Sequence, residues 1–246
     1  MTLFRPLFTV LCVTLLTVGS MAQAQSLQSR FLPDRLYTVS LTKVLSGNNG
    51  MQDIAPITST QRIQIETGPL QGGAIPVSMK VYSTVQKSRN NEEILQWDFH
   101  FTAQEDGVLR DIRIVSAAES FPEDLTSSIL SRQLQPVLFR TVYQLKQRSK
   151  DRIVVGKQTP RDGAEDFIDI EYTVDKSLSE AEQSADREPM ATEDSGTALY
   201  NAEEQFFIER VLNEVNRIYV AADDFEDEKT VIMRKDLRIT VDIRPK

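Results

Sequence analysis

The sequence predicts an α+β fold: an antiparallel, twisted β-sheet of roughly nine strands with two or three helices packed on one face. Three observations lead there. Strand-like runs follow one another over residues 36–117 with no helical pattern between them, which favours antiparallel over parallel pairing. Residues 95–116 hold two alternating runs around Asp106-Gly107, the pair preferred in tight hairpin turns. Ile208, Val211, Leu212, Val215, Ile218, Tyr219 and Ala222 recur at helical spacing and predict a helix over 201–222.

The first 24 residues, MTLFRPLFTVLCVTLLTVGSMAQA, have the layout of a secretory signal peptide. Arg5 is their only charge, an apolar run spans 7–18, and Ala22-Gln23-Ala24 supplies the small-x-small cleavage triplet. The apolar run is too short to span a bilayer, which takes roughly 20 residues. Cleavage after Ala24 would remove Cys12, the one cysteine, so the exported chain would fold without disulfides. Cys12 lies inside the apolar run and not after it, which argues against lipidation. A periplasmic or secreted location is expected, with no transmembrane span in the mature chain.

Along the mature chain, Tyr37, Val39 and Leu41 alternate with polar residues, as do Ile63 and Ile65, and Met79, Val81 and Val85. Gly47-Asn48-Asn49-Gly50 and GPLQGG (68–73) read as turns between them. In the 95–116 hairpin, Leu95, Trp97, Phe99 and Phe101 share one face. A two-residue turn at Asp106-Gly107 places Phe101 opposite Ile112 and Phe99 opposite Ile114, so an aromatic strip meets an aliphatic one. Ser120, Pro122 and Glu123 resemble a capping box that opens a helix running to about Gln135. Residues 137–145 fit a strand or a continued helix. Residues 153–155 and 167–174 read as strands.

Residues 176–197 hold almost no apolar side chains and read as a mobile, acidic loop. The 201–222 helix follows, then the acidic run 223–228, then a hairpin formed by 231–233 and 237–243. The expected organisation is thus a leader over 1–24, a mainly antiparallel β region with one helix over 25–175, the loop over 176–197, and a helix plus β-hairpin over 198–246 packing on the same domain.

Composition excludes several functions. A net charge of -8, which becomes -9 once Arg5 leaves with the leader, is opposite to that of a nucleic-acid binder. One histidine and no mature cysteine leave too few ligands for zinc. The run Asp223-Asp224-Phe225-Glu226-Asp227-Glu228 lacks the glycine-centred spacing of an EF-hand loop. GPLQGG matches neither phosphate-cradling pattern, so no cofactor is expected. His100, with Asp98 two residues before it and Arg113 opposite in the hairpin, is the candidate acid–base or anion-holding group. No GxSxG nucleophile elbow accompanies it. Trp97, Phe99, Phe101, Ile112 and Ile114 are the candidate ligand-binding residues, either as solid core or as the lining of an apolar cavity.

The stretch EDGVLRDIRIVSA, followed by a helix, is similar to part of the C-terminal domain of TonB-type envelope proteins over little more than a hairpin, and it assigns no family. The outline of leader, antiparallel sheet and few helices is similar in architecture to periplasmic lipoprotein carriers, without a shared motif. The expected function is a non-enzymatic envelope protein that binds an apolar ligand (a lipid or acyl chain) or a partner envelope protein. The alternative is a periplasmic hydrolase using carboxylates or His100.

Overall fold

The structure, a computed structural model, describes residues 27–48, 52–87, 90–115, 121–145, 152–175, 192–220 and 229–246. The expected leader (1–24), Ser120 and the acidic run 223–228 lie outside the described residues, as do 176–191 of the expected loop. The strands are β1 (Arg35–Asn48), β2 (Asp53–Thr67), β3 (Ala74–Lys87), β4 (Asn90–Gln104), β5 (Leu109–Ile114), β6 (Arg152–Arg161), β7 (Ala164–Asp175), β8 (Thr192–Asn201), β9 (Phe206–Val220) and β10 (Lys229–Pro245). They form one sheet in the order β5-β4-β3-β2-β1-β10-β9-β8-β7-β6. Every pairing is antiparallel. Sheet neighbours are also chain neighbours except at the centre, where β1 pairs with β10 from Arg35↔Pro245 to Asn48↔Ile232. The sheet is therefore two five-stranded meanders sharing a β1–β10 seam, and α1 (Glu123–Leu134) lies on the connection between them.

The expected α+β class is corrected by this sheet. Among the described residues there are ten strands and one helix, not roughly nine strands under two or three helices. The expected 201–222 helix is strand β9, paired with β8 and β10. Its β-branched residues Ile208, Val211 and Val215 prefer a pleated surface, and sheet pairing on both sides overrides the helical spacing. The expected C-terminal hairpin is one continuous strand, because Arg234-Lys235-Asp236 lacks the glycine or proline of a tight turn and pairs straight through with β9 and β1. Residues 192–197, expected in the loop, begin β8.

The one helix falls where the sequence places it. Pro122 occupies the N-cap position with no side-chain cap, and Glu123 and Asp124 in the first turn complement the helix dipole. Residues 135–145, read as strand or helix, form turns and bends. They bury Val137, Leu138, Phe139 and Tyr143 with Leu130 and Leu134 of α1 against the sheet. The sheet contributes Tyr37, Val39, Ile63, Ile65, Val77, Met79, Phe99 and Phe101 to the same cluster. The role foreseen for a second helix, covering the apolar sheet face, thus falls to irregular chain.

The 95–116 hairpin forms with the expected outer register, Phe99↔Ile114 and His100↔Arg113, but by a different route. Gln104 N–H donates to Val108 O at 3.0 Å and Gly107 N–H to Gln104 O at 3.1 Å, so the loop has three residues, not two. That loop shifts the pairing to Thr102↔Arg110. A bulge at Asp111, whose φ is 53°, restores the original register.

Phe31 sits over the seam, 1% exposed. Its ring is stacked on Tyr143 (5.2 Å between centroids) and lies 5.7 Å from Tyr37, 6.2 Å from Phe206 and 6.4 Å from Phe101. Its N–H donates to Tyr143 Oη at 3.0 Å. Burial pushes the Tyr143 phenol up to about 12, with the Phe31 hydrogen bond opposing the rise. An unfolded tyrosine titrates near 10. Between those values the unfolded chain binds fewer protons than the folded one, so stability is full below about pH 10 and falls as pH rises towards 12. Urea midpoints measured from pH 9 to 12 should decline, and Tyr143→Phe should flatten part of that decline. An unchanged pH slope in the variant would show that Tyr143 is not responsible.

Candidate functional site

The structure brings the expected ligand-binding residues together on the covered sheet face. Phe99 and Phe101 are buried, Ile112 and Ile114 are partly buried against the same core, and Phe31 closes over Phe101. Trp97 is half-buried at the edge of this strip, 6.1 Å from the Phe99 ring and edge-on to Phe121 at 6.5 Å. His100, Asp98 and Arg113 share the opposite face. His100 Nε2 lies 3.8 Å from Asp98 Oδ1, longer than a hydrogen bond, and Lys80 Nζ lies 3.9 Å from Asp98 Oδ2. The His100 side chain is 44% exposed and that of Asp98 15%, so a solvated imidazole stands beside a largely covered carboxylate. Among the described residues no group of three or more His, Cys, Asp or Glu could hold a metal ion.

A cleft lies on the other meander. It has a volume of about 880 Å³ and opens between the β8–β10 face and the 135–145 segment. Sheet register builds its floor in rows. Asp194 pairs with Glu214 and Glu214 with Lys235 across β8, β9 and β10. The next row is Gly196, Leu212 and Leu237, and the one beyond it is Ala198, Arg210 and Ile239. A charged row, an apolar row and a row with Arg210 between Ala198 and Ile239 thus succeed one another under a roof that includes Leu138 and Phe139. Lys235 Nζ pairs with Glu214 Oε2 at 2.8 Å.

Arg210 is held by aromatics. Its guanidinium lies 4.4 Å from the Phe139 ring centroid and 5.7 Å from that of Tyr172. Such contacts contribute up to about 2 kcal/mol when desolvated. Arg210 Nε donates to Tyr172 Oη at 3.0 Å, and Tyr172 Oη donates to Val211 O at 2.9 Å. Burial pushes the Tyr172 phenol above its ordinary range, with the Arg210 cation opposing the rise. Gly196 makes this geometry possible. The Tyr172 ring lies across it, and a Cβ there would come within 2.5 Å of Tyr172 Cζ and Oη and would also meet Val211 O. Register places Tyr172 directly opposite Gly196, so the glycine gives the ring its path to β9.

The cleft's charged residues are absent from the candidates that the sequence suggests. Arg210 and Glu214 fall on the outside of the expected helix, Asp194 in the expected loop, and Lys235 between the expected hairpin strands. The available signal was β-branched composition over 206–220 together with Arg210, Leu212 and Glu214 at period 2.

No family model matches the chain, and no curated protein matches it. Solved structures similar to it in part include the following two. A lipovitellin chain, from a study of lipid–protein interactions in lipovitellin, aligns with a TM-score of 0.43 at 12% identity over 88% of this chain. This chain spans 26% of that lipovitellin chain. A DUF1329 family protein from Desulfovibrio piger ATCC 29098 aligns with a TM-score of 0.21 at 8% identity, covering 87% of this chain and 86% of that one. At these scores neither assigns a fold family or a ligand to this chain. Among the described residues no helix is long and apolar enough to cross a membrane.

Proposed function

We propose that this chain is an exported, non-enzymatic protein that binds an amphiphile, a lipid or acyl chain with a polar head, in the cleft beneath residues 135–145. The observation that carries the reading is the composition of the cleft. Its volume, about 880 Å³, lies within the roughly 300–1,000 Å³ of small-molecule sites. Leu212, Leu237, Leu138, Phe139, Val174 and Ile153 supply apolar surface, while Arg210, Asp194, Glu214 and Lys235 supply polar groups beside it. A purely apolar ligand would leave those charges facing hydrocarbon, and a purely polar one would leave the leucines wet. The leader-like segment 1–24 supports export, and the apolar strip around Phe99 serves as packed core beneath Phe31.

Native mass spectrometry of the full protein purified from its host tests this reading. A co-purifying species with the mass of a lipid or fatty acid is expected, and Leu212→Trp, which fills the cleft, should release it. A clean apo mass, combined with no uptake of added amphiphiles, would count decisively against the proposal.

A further inference from the structure

We infer that the cleft selects amphiphiles whose head carries a negative charge, a carboxylate or a phosphate, and that Arg210 is the residue that anchors the head. The inference rests on the amphiphile reading of the same cleft. Among the described residues, four basic side chains (Arg140, Arg152, Arg210, Lys235) and two acidic ones (Asp194, Glu214) line the cleft. The whole chain has the opposite balance, with 28 basic and 36 acidic residues. The described lining is thus cationic on an acidic protein, an arrangement that concentrates anions where they bind and repels them elsewhere.

Arg210 differs from the other cleft cation on the sheet floor. Lys235 is neutralised by Glu214 at 2.8 Å. Arg210 makes no ion pair with a carboxylate among the described residues: its partners are two aromatic faces and the Tyr172 hydroxyl. The hydroxyl takes only Nε, so the Nη groups keep the fork that matches a carboxylate or phosphate edge. The Phe139 stack and the Tyr172 bond fix the side chain, so little rotamer freedom remains to be lost on binding. Leu212, two residues along β9 on the same face, begins the apolar floor, so an anchored head directs its chain over Leu212 and Leu237.

Calorimetric titration of the full, delipidated protein with dodecanoate, dodecyl phosphate and dodecanol tests the inference. The three share a chain and differ in the head. At least one anionic ligand should bind about tenfold or more tighter than dodecanol, the factor expected for a charge-assisted hydrogen bond. Preference for dodecanoate identifies a carboxylate head, and preference for dodecyl phosphate a phosphate head. Arg210→Met should bring the anionic ligands to within about twofold of dodecanol measured on the same variant, and Arg210→Lys should retain part of the preference. The wild-type comparison stands even if Arg210→Met fails to fold. Equal binding of all three by the wild type overturns charge selection and leaves the amphiphile reading intact. Binding of none overturns both. A preference that survives in a folded Arg210→Met protein overturns the assignment to Arg210.

Discussion

Phe31→Ala should lower the stability of the protein by about 3–5 kcal/mol, the range for emptying a fully buried aromatic site. The position concentrates several interactions. The ring touches Tyr37 on β1, Phe101 on β4, Phe206 on β9 and Tyr143 on the covering segment. The two meanders meet through sheet hydrogen bonds along β1 and β10, so a side chain that contacts β4 on one side and β9 on the other couples them beyond that seam. The surrounding backbone is pinned and cannot readily collapse into the void. Ser29 N–H donates to Arg140 O at 2.5 Å, Arg30 N–H to Gln205 O at 3.0 Å, and Leu32 N–H to Tyr37 Oη at 2.9 Å. Thr67 Oγ1 donates to Leu32 O at 2.7 Å. Equilibrium urea unfolding of Phe31→Ala beside wild type checks the figure, and Phe31→Leu should recover part of the loss because it restores volume without the ring geometry. A loss under about 1 kcal/mol would show that the ring does not pack between the meanders.

The first meander is legible in the sequence because its buried face is apolar throughout. Tyr37, Val39, Ile63, Ile65, Met79, Val81, Phe99 and Phe101 alternate with outward polar residues, so period 2 is plain. The β4–β5 register is legible at Phe99↔Ile114 for a less secure reason: a three-residue loop and a bulge displace the pairing in opposite senses. The Asp106-Gly107 pair identifies the hairpin, while the compensation depends on a positive φ at Asp111 that no residue pattern announces.

The second meander defeats sequence patterning in three places, and they share a cause. At the start of β8, along β9 and in the middle of β10, inward-facing positions hold charges: Asp194, Arg210, Glu214 and Lys235. An inward charge removes the apolar member of an alternating pair, so β8 resembles a polar loop and β10 resembles two strands with a turn. In β9 the outward Val211 and Val215 combine with the inward Leu212 into an apparent helical stripe. Local patterning is expected to fail where a protein places polar groups inside for binding. The cleft is therefore located twice, by the geometry of the structure and by the run of positions where strand periodicity is broken. The helix α1 is legible because its start signal is local: Pro122 at the N-cap position and Glu123 and Asp124 in the first turn. The 135–145 segment is not, since its shape is dictated by the sheet it covers.

That segment's attachment to the first meander leads to the second large effect. Gly107→Ala should cost about 2–5 kcal/mol, from two separable sources. Gly107 has φ +82°, which costs a residue with a Cβ about 1–2 kcal/mol. An added Cβ would also overlap Val142 O, and displacing packed backbone costs about 1–3 kcal/mol. The carbonyl cannot move alone, because Gln144 N–H donates to Gly107 O at 2.7 Å and Tyr143 N–H donates to Thr141 Oγ1 at 3.0 Å. Gly163 supplies the control. It has φ +73° but nothing within 4 Å of where a Cβ would stand, so Gly163→Ala should show the conformational part by itself, about 1–2 kcal/mol. Chemical denaturation of both variants gives the comparison. Equal losses would mean that the 142–144 segment yields freely to the added methyl. A greater loss at Gly107 measures how firmly the β4–β5 turn holds the segment that roofs the cleft, and a loosened roof should also weaken ligand retention in Gly107→Ala while Gly163→Ala retains ligand as the wild type does.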